Sequence, residues 1–158
     1  MTVAGQDPSH VRLLAGNASS GRPVYEAVPA LPVEPGVYDV LGTPGLAAGC
    51  AAGDRIRVGD DGKFEVLRRG GNLCLLLYPS PPPADDEVAV LVAAFQRLDG
   101  LVELPPHRRF VVITVPVTAG FEAVEDAVNG WTAARGCPWE YGNVYDDDGE
   151  ALGWWRTG

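Results

Sequence analysis

The apolar positions of the second half change period in a regular way. Residues 72–78 form a nearly continuous apolar run through Leu73-Cys74-Leu75-Leu76-Leu77, the pattern of a strand covered on both faces. Pro79-Ser80-Pro81-Pro82-Pro83 ends it. Val88, Leu91, Val92, Phe95 and Leu98 then recur at helical spacing, behind Asp85, Asp86 and Glu87, whose charge suits a helix N-terminus. Asp99-Gly100 stops this helix, with the glycine expected as its left-handed cap. Residues 101–104 and 110–117 read as two strands joined through Pro105-Pro106-His107-Arg108. A second helix follows with Phe121, Val124, Val128 and Trp131 on its inner face and Gly136 at its end, and residues 139–145 alternate as a closing strand. Strand, helix, strand, strand, helix, strand is the split βαβ order, so residues 71–158 are expected to form a ferredoxin-like βαββαβ unit with an aromatic, acidic tail.

The first half punctuates its apolar runs with turn formers. A strand at 10–14 precedes a loop, Gly16-Asn17-Ala18-Ser19-Ser20-Gly21. Residues 24–33 are extended but carry Pro29 and Pro32, which predicts an edge or irregular strand. Pro35-Gly36 turns the chain into a strand at 37–41, and the Gly/Ala-rich stretch 43–52 suggests one helical turn or a tight crossover. Arg55-Ile56-Arg57-Val58 and residues 63–68 form a hairpin about Asp60-Asp61-Gly62, with Phe64, Val66 and Arg68 on one face. The overall expectation is α+β: a small N-terminal β meander or partial barrel over residues 1–70, fused as one compact unit to the ferredoxin-like part.

Composition narrows the function. A chain of 158 residues, 46% hydrophobic and 21% charged, buries a core without a metal or disulfide staple. The net charge of −9, twelve Lys and Arg against twenty-one Asp and Glu, argues against nucleic acid and for a partner with a basic surface. Residues 1–8 show neither the basic nor the apolar region of a signal peptide, and no run approaches the roughly 20 residues of a membrane helix. Cys50, Cys74 and Cys137 are odd in number and far apart, without a CxxC pair, as suits reduced thiols in the cytoplasm.

Candidate chemistry is sparse. His10 opens a strand and His107 lies in a proline-rich hairpin, each without a sequence neighbour that would make a nucleophile or a base of it. Arg69-Gly70-Gly71-Asn72 lacks the Lys-Ser/Thr of a phosphate loop and reads as a bend. Asp146, Asp147 and Asp148 lack the alternate-position oxygens of a calcium loop and read as a solvated turn. No catalytic residue, metal site or cofactor is expected. All four tryptophans fall in the last 28 residues. Trp131, with Trp139 and Tyr141, can complete the core, whereas neighbouring strand residues Trp154 and Trp155 would face opposite ways and leave one of them outside. Trp139, Tyr141, Asp146, Asp147, Asp148, Trp154 and Trp155 are therefore the candidate partner-binding residues.

Gly36-Val37-Tyr38-Asp39-Val40-Leu41, Thr43-Pro44-Gly45-Leu46-Ala47-Ala48-Gly49 and Gly53-Asp54-Arg55-Ile56-Arg57-Val58, with Gly70-Gly71-Asn72 later, resemble the bacterial family known as domain of unknown function four-two-six-five. The likeness runs from Tyr25 to Tyr145, with Gly42, Gly45 and Leu46 where such sequences usually carry Asn and bulky aromatics. It implies a bacterial, cytosolic protein and no particular activity.

Three readings follow. The first is a non-enzymatic protein-binding module, in its sharpest form an immunity-type inhibitor of a basic partner. The second is a small-molecule-binding regulatory domain of ferredoxin-like type, in which strands 73–78 and 110–117 pair across a homodimer. The third, an enzyme built on His107 or Cys50, ranks well behind.

Overall fold

The computed structural model describes residues 8–156, so the signal-peptide reading of the N-terminus lies, up to Asp7, outside the described residues. The protein is α+β, with two antiparallel sheets and two α-helices among the described residues. It divides into two compact units, Met1–Gly70 and Gly71–Gly158.

In the first unit β1 (Ser9–Asn17), β2 (Pro23–Glu34), β3 (Val37–Val40), β4 (Arg55–Val58) and β5 (Phe64–Arg68) lie side by side in chain order, a five-stranded meander. Period-2 alternation turns Val11 and Leu13, Val28 and Ala30, and Ile56 to one buried face, on which Phe64 and Val66 pack. The prolines of β2 do not confine it to an edge. It pairs with β1 up to Ala30 and with β3 from Ala30 to Glu34, and the register slips between Pro32 and Glu34. Pro29 meets the chain after β3 through its carbonyl, which accepts from Leu41 and Gly42 N–H and needs no donor from the proline.

The Gly/Ala-rich stretch after β3 forms no helical turn. Its N–H groups are drawn onto side-chain acceptors instead. The Glu26 carboxylate accepts from Gly45, Leu46 and Ala47 at 2.8–2.9 Å, and Thr43 Oγ1 accepts from Ala52 at 3.0 Å. Asp54, fully buried, accepts from Ala51 and Gly70 N–H at 3.0 and 2.8 Å and faces Arg69 at 3.4 Å. Burial pushes its carboxyl up, against the pull of those donors.

The second unit runs β6 (Asn72–Leu77), α1 (Asp85–Gln96), β7 (Leu101–Glu103), β8 (Val111–Pro116), α2 (Phe121–Thr132) and β9 (Trp139–Tyr141). Its sheet order is β7-β8-β6-β9, with every neighbour antiparallel. Leu73, Leu75 and Leu77 of β6 and Val111, Ile113 and Val115 of β8 share a core with Leu91 and Phe95 of α1 and Val124, Val128 and Trp131 of α2. Cys74, Leu76 and Val112, on the alternate positions, are buried as well.

Two sequence expectations change here. The left-handed residue after α1 is Asp99, at φ 60°, whereas Gly100 is needed for space: a Cβ there would lie 3.1 Å from the Phe95 carbonyl oxygen and 3.2 Å from its Cβ. The closing strand also stops at Tyr141. A Cβ at Gly142 would come within 2.7 Å of Cys74 Sγ, and beyond it the buried Asn143 turns its side chain onto β6, accepting from Cys74 N–H at 2.9 Å and donating to Asn72 C=O at 2.8 Å.

Candidate functional site

Trp139 and Tyr141 stand two residues apart on β9 and so share a face. Helix α2 meets them with a stripe at four-residue spacing. Phe121 packs edge-on to Tyr141 at 5.7 Å, Glu125 accepts the Tyr141 hydroxyl at 2.8 Å, and Asn129 accepts the Trp139 indole N–H at 2.9 Å. Burial and the neighbouring Glu125 carboxylate push the Tyr141 hydroxyl well above the usual tyrosine range. Tyr78, donating to Glu140 at 2.7 Å, is raised for the same reasons.

The rings continue in both directions. Trp139 meets Tyr141 at 5.0 Å and Tyr141 meets Tyr145 at 6.4 Å. Phe121 meets Trp155 at 5.2 Å, and Trp155 meets Trp154 at 5.4 Å. Six aromatic side chains thus form one unbroken seam. Trp154 and Trp155 occupy a 3-10 turn, Trp154–Arg156, rather than a strand, which lets both half-bury against the same core. The Trp154 indole donates to Asn143 C=O at 2.9 Å. Tyr145 is the most open member, at 53% exposure. The Arg156 guanidinium lies over the Trp155 ring, 5.6 Å from its centroid.

Tyr145 bridges to Ala151 at the base of a loop whose tip carries Asp146, Asp147, Asp148 and Glu150, all exposed. Asp146 Oδ1 accepts from the N–H groups of Asp148 and Glu150, both at 2.9 Å, and so closes the turn. No group of three or more His, Cys, Asp or Glu side chains poised for a metal occurs among the described residues. All seven side chains singled out in the sequence therefore belong to the seam or to the loop that extends from it. Phe121, Glu125 and Asn129, which position the rings, escaped that reading. Their i, i+4, i+8 spacing was the available signal.

The other candidates lie elsewhere. His10 is exposed on β1 opposite Pro29. His107 is exposed in its turn, where Nδ1 accepts from Arg109 N–H at 3.0 Å and the ring lies 5.6 Å from Phe110. Cys50 is buried in the first unit. A cleft of about 170 Å³ opens between Pro79, Ser80, Pro81 and Pro83 on one side and Glu87, Arg135 and Cys137 on the other. Arg135 is held there by Glu87 at 2.9 Å, by Trp131 C=O at 2.8 Å and over the Trp131 ring at 4.2 Å. Burial raises the Cys137 thiol pKa.

A family described as "Domain of unknown function (DUF4265)" matches residues 26–138. The match includes the positioning residues of α2 and the cleft, and it ends one residue before Trp139. A solved structure of a hypothetical protein from Neisseria gonorrhoeae is similar over 90% of this chain and 97% of its own, with a TM-score of 0.65 at 12% identity, a likeness of fold. No curated protein matches the chain.

Proposed function

This chain belongs to that family of unknown function, and, since the membership brings no activity with it, we propose from the geometry that it is a non-enzymatic protein-binding module. The seam of six aromatic rings, with an exposed acidic loop at one end, carries this reading. Aromatic anchors supply contact area at little entropic cost, and carboxylates around them attract a basic surface. Residues 121–156 hold eight acidic side chains against two arginines, which concentrates the chain's negative charge around the seam. An immunity-type inhibitor that covers a basic enzyme or toxin surface is the sharpest form of the proposal.

The finer fold reading belongs with it. Numbered within the second unit, the spatial order β7-β8-β6-β9 is 2-3-1-4 with two helices on one face, which supports a ferredoxin-like unit. In the first unit Leu14 N–H donates to Gly62 C=O at 2.8 Å, bringing the β4–β5 turn back to β1 as in a partial barrel. Cys50, Cys74 and Cys137 are buried and form no disulfide, as suits a reducing compartment such as the cytoplasm. Among the described residues no helix is long and apolar enough to cross a membrane.

A photo-reactive phenylalanine analogue in place of Tyr145, irradiated in the native host, tests the proposal. The expected product is a covalent adduct with one basic protein, absent when the analogue replaces Leu67 instead. Adducts with no protein from Tyr145, Asp147 and Leu152 alike would reject it.

The cleft beside Arg135 favours a second reading, a small-molecule-binding regulatory unit. In a dimer of that kind the sheet edges available for pairing are β7 and β9, because β6 and β8 already pair with each other. Thermal-shift screening with amino acids and nucleotides separates the readings: a stabilising ligand whose effect is lost in Arg135→Gln supports the second.

A further inference from the structure

We infer that the Trp155 ring is a guanidinium-binding position, filled by the chain's own Arg156 and taken over by an arginine of the docked partner. This rests on the protein-binding reading and names the group that the seam recognises.

Three observations carry it. Arg156 lies in the most acidic stretch of the chain yet makes no salt bridge among the described residues; its guanidinium goes to the indole of Trp155 at 5.6 Å. The other arginine of this stretch, Arg135, is fastened over its own tryptophan by a carboxylate and a carbonyl. Among the described residues Arg156 has one hydrogen bond, from its backbone N–H to Gly153 C=O at 3.0 Å, and its side chain, which also lies beside Gly153, has the Trp155 ring as the one partner for its charge. An exposed cation–indole contact is weak, and a cation so held is easily exchanged. The sequence around the ring is acidic: Asp146, Asp147, Asp148 and Glu150 are exposed a few residues before it, and Glu122 is exposed next to Phe121, whose ring packs on Trp155. A planar guanidinium stacks on an indole in a way that a hydrated ammonium does not, so an arginine is favoured over a lysine.

The test uses the full chain labelled with ¹⁵N and reads the tryptophan indole signals while hexa-arginine or hexa-lysine peptide is added at low salt. Trp155 is assigned from the signal missing in Trp155→Phe. Hexa-arginine should shift the Trp155 signal and bind tighter than hexa-lysine. In Arg156→Ala its affinity should rise about two- to fivefold, the equivalent of one exposed cation–π contact. Arg156→Lys should fall between the two proteins, and an unchanged circular dichroism spectrum shows that the fold is kept. Equal binding of the two peptides with no effect of Arg156→Ala overturns the guanidinium site and leaves the wider protein-binding reading standing. Failure of both peptides to bind either protein overturns the site and counts against the wider reading too.

Discussion

Asn143 acts as an extra residue of β9. Its amide reproduces both halves of a peptide unit, meeting Cys74 N–H and Asn72 C=O, while its own carbonyl takes the Trp154 indole. Asn143→Ala leaves a donor and an acceptor unmet against β6. At about 1–3 kcal/mol for an unsatisfied buried group, and about 1 for the Asn72 carbonyl, which is only part-buried, the loss is about 2–4 kcal/mol, with the Trp154 end of the seam loosened as well. Urea unfolding followed by tryptophan fluorescence measures it, and a change under about 0.5 kcal/mol would show that Asn143 is not such a link. Tyr141 supports a second prediction at this scale. Its folded pKa lies above the unfolded value of about 10, so its contribution is complete below pH 10 and is lost as the pH climbs through the folded value. Tyr78 has the same sign. The urea midpoint should fall between pH 9 and about 11, and fall less steeply in Tyr78→Phe/Tyr141→Phe. Parallel pH profiles for the two proteins would refute the assignment.

Among the elements, the end of α1 shows how a glycine is misread when only local rules are available. Asp99 takes the left-handed conformation and Gly100 takes the space, donating its N–H to Phe95 C=O at 2.8 Å. Asp99→Gly should therefore be neutral or stabilising by up to about 1 kcal/mol, while Gly100→Ala should cost about 1–3 kcal/mol through overpacking on Phe95. Melting curves that rank the two variants the other way would restore the glycine cap. The same division between local and distant causes explains what the sequence discloses. Helix stripes, the apolar run of β6 and the Asp-Gly hairpin are written in neighbouring residues, and each is found where its pattern lies. The early end of β9 is not, because it depends on Cys74 and Asn72, about 70 residues away. Nor is the loop after β3, where Glu26 reaches 19–21 positions along the chain to hold three N–H groups. The candidate site was legible as a composition, aromatic and acidic. Its continuity was not, since Phe121 reads equally well as a plain inner-face residue of α2.

Over the whole molecule, the −9 charge is unevenly spread, and this separates how a partner arrives from how it is held. Charges at the tip of an exposed loop act at long range and are screened within about 10 Å at 0.1 M salt, so they govern encounter rate more than residence. Rings packed edge to face act only on contact. The variant Asp146→Asn/Asp147→Asn/Asp148→Asn isolates the first effect. An asparagine at 146 keeps the Oδ1 that accepts from Asp148 and Glu150, so the turn survives and stability should stay within about 0.5 kcal/mol. Association with hexa-arginine peptide, followed by stopped flow, should slow severalfold at 20 mM salt, with little change in the dissociation rate. At 1 M salt, where screening falls to about 3 Å, the variant and the parent should associate alike. A loss seen mainly in dissociation and persisting at 1 M salt would mean that the aspartates touch the bound peptide, which would make the loop part of the contact surface instead of its approach field.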